Sequence, residues 1–135
     1  MSRRLAEFVS SARLEDFPPE AAGTARTAVL DCIGVALAGS REPSTEAIVD
    51  LIREDGGAGR STVLGTEGTT SPSAAALANG LLAHVLEFDD CSLSVDGHPS
   101  AVLVPAILAL GEPGGISGRQ FLEAYVVGFE VMAGI

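Results

Sequence analysis

Apolar residues recur at helical spacing along most of the 135-residue chain, separated by short polar stretches. Leu5, Phe8, Val9 and Ala12 predict a first short helix over "RLAEFVSSARLEDF". The strongest pattern is "PPEAAGTARTAVLDCIGVALAGS". There Pro18 and Pro19 suit a first helical turn, and Ala22, Ala25, Val29, Ile33, Ala36 and Leu37 form one stripe before Gly39 ends it. Its small residues allow neighbouring helices to approach closely. Ser44 is a candidate N-cap for "TEAIVDLIRED", with Ile48, Leu51 and Ile52 on one face.

"GGAGRSTVLGTEGTT" breaks the helical pattern and predicts a short strand at Thr62 to Leu64. A phosphate-cradling loop does not follow from its glycines, because no GK[ST] follows them. Ser71 and Pro72 then set an N-cap and first turn for "PSAAALANGLLAHVLEF". A further helix is predicted from Pro99 through "SAVLVPAILALGE", with a kink or broken first turn at Pro105. "SGRQ" is a capping box that opens the last helix, "RQFLEAYVVGFEVMAGI". The predicted class is all-α, a multi-helix bundle with short irregular loops. Tyr125, Val126, Phe129, Val131 and Met132 keep that helix apolar nearly to residue 135, so residues 1–135 are expected to be the N-terminal portion of a larger helical domain.

Composition sharpens this picture. The chain is 47% hydrophobic but only 4% aromatic, which favours closely packed helices over a β-sandwich. Its mean hydropathy of +0.35 points to apolar surface covered in an oligomer or a larger protein. The net charge is −10, with eight arginines and no lysine. No stretch is basic, so nucleic-acid binding is not expected, and an anionic membrane surface is disfavoured on the same ground. No uninterrupted apolar run reaches the length of a membrane span. The first residues lack the apolar core of a secretory signal, and the two cysteines, Cys32 and Cys91, do not form a disulfide framework. A reduced, cytoplasmic protein is the expectation, with Cys32 in the core.

The chemistry-bearing residues gather in "EFDDCSLSVDGHPS". Glu87 ends one predicted helix, Asp89, Asp90 and Asp96 lie in the loop, and His98 stands at or beside the N-cap of the next helix. A histidine beside free helix N–H groups suits acid–base chemistry near neutral pH. Clustered loop acids are also common as simple solvated residues. Metal binding by Asp89, Asp90, Asp96 and His98 matches no standard ligand spacing, and Cys91 has no identifiable partner base. His84, among Leu81, Leu82, Ala83 and Val85, reads as a core histidine, and Asp31 as a structural carboxylate that caps or pairs with an arginine.

Several segments, in order, resemble the MmgE/PrpD family: "FPPEAAGTARTAVLDCIGVALAGS", "TVLGT", "SPSAAALANGLLAHVLEFDD", "GHPSAVLVPAILALGE" and "SGRQFLEAYVVGFEV". The family's wording runs close to N-G-x-x-x-H-x-L-D-F-D-D-T and then H-P-S-A-x-x-x-P-A-x-L-A-L-A-E. That family includes 2-methylcitrate dehydratase, cis-aconitate decarboxylase and an iminodisuccinate epimerase. The resemblance implies a large helical domain joined to a smaller α/β domain, with the site between them, usually in a homodimer. It implies proton transfer next to a carboxylate of small di- or tricarboxylates, without cofactor or metal. Residue by residue, it implies His98 and Glu87 as catalytic groups and Asp89, Asp90, Cys91 and Ser100 as substrate-binding ones. Two positions depart from the pattern. Glu87 stands where aspartate is usual, one methylene longer, and Cys91 stands where a threonine hydroxyl is usual. The family's lysines lie downstream, so the expected partner is a second copy or a complementing C-terminal portion. Without it the chain is expected to be inactive; the rival expectation is a non-enzymatic helical module that binds a partner.

Overall fold

Pro19 opens the longest helix because its missing N–H costs nothing at a first turn. The computed structural model describes residues 2–55 and 57–134. Its order is α1 (Ser2–Ser11), a 3-10 turn (Leu14–Asp16), α2 (Pro19–Gly39), α3 (Pro43–Asp55), β1 (Ser61–Thr62), β2 (Thr69–Thr70), α4 (Pro72–His84), α5 (Pro99–Gly114) and α6 (Gly118–Gly134). It is a mostly helical, multi-helix assembly, as the periodicity predicts. Gly56 of the Gly-rich turn and Ile135, expected at the end of the last helix, lie outside the described residues.

The main core lies where α2, α4, α5 and α6 meet. It contains Ala25, Cys32 and Ala36 of α2, Leu82 and Ala83 of α4, Ala101 and Val104 of α5, and Tyr125 and Val126 of α6. The alanines bring backbones close together. At Gly39 the approach is closest, since a Cβ there would collide with the Leu82 carbonyl and the Val85 side chain. By length and composition α2 is long and apolar enough to cross a bilayer, a property that the core helix of a soluble protein shares and that counting uninterrupted apolar runs does not reveal. Here it packs its small residues against three other helices and leaves Leu30 and Leu37 exposed, so Leu37 falls off the buried stripe.

A smaller core of Ile52, Val63, Ala75, Ala78 and Ala109 seats the β-hairpin on α3, α4 and α5. Asn79 is wholly buried and locks the hairpin by accepting from Leu64 N at 2.8 Å and donating to Thr62 O at 2.9 Å. Ser61 Oγ donates to Ala109 O at 2.6 Å, and Thr62 donates twice to the Glu112 carboxylate, through Oγ1 and N. Those bonds from Thr62 hold Glu112 below its ordinary pKa, against a smaller opposing effect of burial.

Four boundaries differ from the sequence pattern. The first predicted helix breaks after Ser11, because Ser10 and Ser11 bond back to Glu7 O and Asp16 caps the Arg13 N–H at 2.8 Å. The third helix begins at Pro43 rather than after Ser44, with Thr45 Oγ1 bonded to Gly39 O and Glu42 O. The strand occupies Ser61–Thr62 instead of Thr62 to Leu64. Finally, α4 stops at His84 instead of running to Phe88. Pro105 does not break α5, which runs through it. The carbonyl it leaves without a helical donor, that of Ala101, packs against Gly80 of α4. The capping box forms as predicted, with Gln120 Oε1 accepting from Ser117 N at 2.8 Å and Gln120 N donating to Ser117 Oγ at 3.3 Å.

Candidate active site between helices α4 and α5

The loop from Val85 to Gly97 turns the chain back so that the end of α4 meets the start of α5. Glu87 takes a left-handed backbone (φ 53°), with its N–H bonded to His84 O at 2.9 Å. That reversal ends the helix. Further on, Ser92 and Gly97 pair their backbones, and Asp96 sits at φ 48° inside the small turn they close. His98 is then the N-cap residue of α5.

These turns bring three side chains together. The Asp89 side chain is fully buried, whereas those of His84 and His98 are 50% and 37% exposed. Asp89 Oδ1 and Oδ2 lie 3.2 and 3.1 Å from His84 Nδ1. Asp89 Oδ2 is also 3.3 Å from His98 Nδ1, a buried atom whose orientation gives no hydrogen bond. The two imidazole rings are 4.8 Å apart, tilted by 59°. Among the described residues, no lysine or arginine is paired with Asp89, so its buried charge is balanced only through the histidines.

Asp90 points elsewhere. Its carboxylate accepts from Ser100 N at 3.0 Å and from Ser100 Oγ at 2.6 Å. Ser100 is two residues beyond the N-cap, so Asp90 caps α5 from across the loop and lies at the positive end of the helix dipole. The Ser100 hydroxyl gives its hydrogen to Asp90, so Tyr125 donates to Ser100 Oγ, at 2.7 Å. Cys32 Sγ donates to Ser100 O at 3.4 Å. Burial pushes the Cys32 thiol up to about 12, with the charges of Asp90, Asp89 and Asp31 adding to it. Burial likewise raises Tyr125, partly offset by its bond to Ser100, with Asp90 and Cys32 raising it further. A cleft of about 290 Å³, lined in part by Ala25, Asp90, Ser92, Tyr125 and Phe129, adjoins this network.

Of the residues singled out in the sequence, His98 and Asp89 therefore face each other, and Asp90 and Ser100 bond to one another. Glu87 and Cys91 are exposed, and among the described residues the Glu87 carboxylate has no hydrogen bond or ion pair. Asp31 is exposed and unpaired among the described residues, while Cys32 is in the core as expected. His84 is not a core histidine: the break after α4 leaves it half-exposed beside Asp89. Its signal was the histidine in the resembling pattern, five residues before an aspartate, which the apolar neighbours masked. Tyr125 had no such signal, since only tertiary packing brings it to Ser100.

A family model described as the MmgE/PrpD N-terminal domain matches residues 3–135. Among curated proteins, the cis-aconitate decarboxylase-like protein oryM of Aspergillus oryzae is 31% identical over 137 residues. That alignment covers 96% of this chain and 28% of the relative. The chain thus spans less than a third of that relative's length.

Proposed function

The chain belongs to the MmgE/PrpD family through its N-terminal domain, and from that premise we propose that it carries the acid–base part of a lyase or isomerase site. The substrate class is a small di- or tricarboxylate, and the reaction moves a proton at the carbon next to a carboxylate. The observation that carries this reading is the fully buried Asp89 carboxylate set against His84 and His98.

An aspartate in that place does two things for His98. By its charge, 3.3 Å away and without a hydrogen bond in this orientation, it favours the tautomer with hydrogen on Nδ1, leaving the Nε2 lone pair free to take a proton. When Nε2 takes that proton, the ring becomes an imidazolium, and the adjacent carboxylate stabilises it. The returning proton comes from the same nitrogen, so His98 serves as base and then as acid. Glu87, exposed at the rim, is the second proton carrier of the proposal, and Cys91 lies on the same loop as a weak donor.

The chain has no lysine, and among the described residues none of its arginines is paired with His84, Asp89, Asp90 or His98, so cations to hold the substrate carboxylates come from elsewhere in this reading. A complementing C-terminal portion of the family, or a second copy in a homodimer, supplies them. Dehydration, decarboxylation and epimerisation share the proton-transfer step, and all three belong in the assay. The test uses the chain alone and with a C-terminal portion of a family member supplied in trans. Expected is activity with at least one small di- or tricarboxylate, and a loss of about 10² or more in kcat for His98→Gln. A His98→Gln protein as active as its parent would remove the catalytic assignment.

A second reading is a non-enzymatic module that binds a partner through apolar surface. It is favoured by Phe88 and Leu93 on the same loop, 74% and 97% exposed. Replacing both by serine separates the two: lost association with unchanged chemistry of the complemented enzyme speaks for a docking role.

A further inference from the structure

We propose that His84, Asp89 and His98 form a binding site for one divalent transition-metal ion of the zinc type. One donor atom from each residue lies within 4.8 Å of both others. The two carboxylate–imidazole separations, 3.1 and 3.3 Å, approach the spacing of ligands on a zinc ion. Four ligands at roughly 2.0–2.1 Å in a tetrahedron stand about 3.3 Å apart. Only the histidine–histidine edge, within 4.8 Å, needs to close, by a small rotation of the half-exposed His84 ring about its contact with Asp89.

Three further observations point the same way. His98 Nδ1 is buried with no hydrogen bond, and the charged atom it faces is an oxygen of Asp89. The Asp89 carboxylate is fully buried without a lysine or arginine partner among the described residues, so a cation between the three groups relieves the cost of its desolvation. The ligands are also held in place beforehand. His84 ends α4, His98 caps α5, and the Ser92–Gly97 pairing and the Asp90–Ser100 bonds fix the chain between them.

Two imidazoles and a carboxylate favour zinc, cobalt, nickel or copper over magnesium or calcium. The exposed side of His84 leaves a fourth position open to water. An ion held there would occupy the His98 Nδ1 lone pair, with that proton released to water, and would stand between the ring and Asp89, so an occupied site would block the proton transfer proposed above. Binding itself does not depend on that reading.

The test is calorimetric titration of the chelator-treated chain with zinc chloride, and separately with magnesium chloride. Expected is one zinc ion per chain and no saturable magnesium binding. His84→Gln and His98→Gln should each weaken zinc at least tenfold, with helical content unchanged by circular dichroism. Cys91→Ser, which removes the exposed thiol nearby, should leave zinc affinity unchanged. No saturable zinc binding overturns the proposal. Binding that survives both histidine substitutions, or that disappears with Cys91→Ser, also overturns it.

Discussion

Asp89 and Asp90 are neighbours in sequence, yet their carboxylates serve different ends of the same loop. Asp89 is buried against two imidazoles, and Asp90 caps α5 through Ser100. Removing the Ser100 hydroxyl leaves both the Asp90 carboxylate and the Tyr125 hydroxyl one partner short in a buried place. Ser100→Ala is therefore expected to lose about 1–3 kcal/mol in urea denaturation. The two cysteines give a second contrast. Cys32 is buried with its thiol pushed up to about 12, whereas Cys91 is exposed. Under native conditions at neutral pH, iodoacetamide should label Cys91 and leave Cys32 intact until denaturant is added; peptide mass mapping reads the difference. At this scale the place of His98 at the start of α5 and that of Cys32 in the core were legible from type and setting, whereas the burial of Asp89 against two imidazoles was not. His84 reads as a core residue because Ala83 and Val85 flank it in sequence, and the left-handed turn at Glu87 that follows it has no signature in an ordinary Glu–Phe pair.

Among the elements, α4 carries most of the architecture. It packs on α2 and α5, fixes the hairpin through Asn79, and ends where the site begins. Its contact with α2 depends on Gly39 lying against the Leu82 carbonyl. Gly39→Ala forces the helices apart, and a loss of roughly 1–3 kcal/mol in chemical denaturation is expected, with His84 and Asp89 displaced as α4 moves. Helix starts were legible wherever a Ser or Pro signature stood at the right place, as at Pro19, Ser71 and Ser117. The misjudged boundaries have local causes that a pattern of apolar residues does not register. Asp16 caps a new turn after Arg13, and Thr45 rather than Ser44 bonds back to the preceding carbonyls.

On the scale of the whole molecule, the alkaline limb of stability follows from the buried core beside the site. Cys32 is raised from 9.0 to about 12, and Tyr125 is raised as well, so the folded chain holds these protons more tightly than the unfolded one. Their contribution is fully present below the unfolded value of 9.0 for the thiol and is lost as pH climbs toward about 12. Stability measured by urea denaturation should fall over that window, and Cys32→Ala should flatten the fall. The all-helical class was legible from periodicity and the scarcity of aromatics. What could not be read was the set of contacts that tie the hairpin to α5 and Tyr125 to the loop, because residues 25 to 50 positions apart carry no common local pattern.

The proposed activity turns on His98 moving a proton at carbon, and solvent exchange reads that step without waiting for a full turnover. The chain, complemented by a C-terminal portion of a family member, is incubated in deuterium oxide with small di- and tricarboxylates and followed by proton NMR. The account predicts deuterium entering at the carbon next to a carboxylate in at least one of them, and loss of that exchange in His98→Gln. Exchange that continues undiminished in His98→Gln would contradict it.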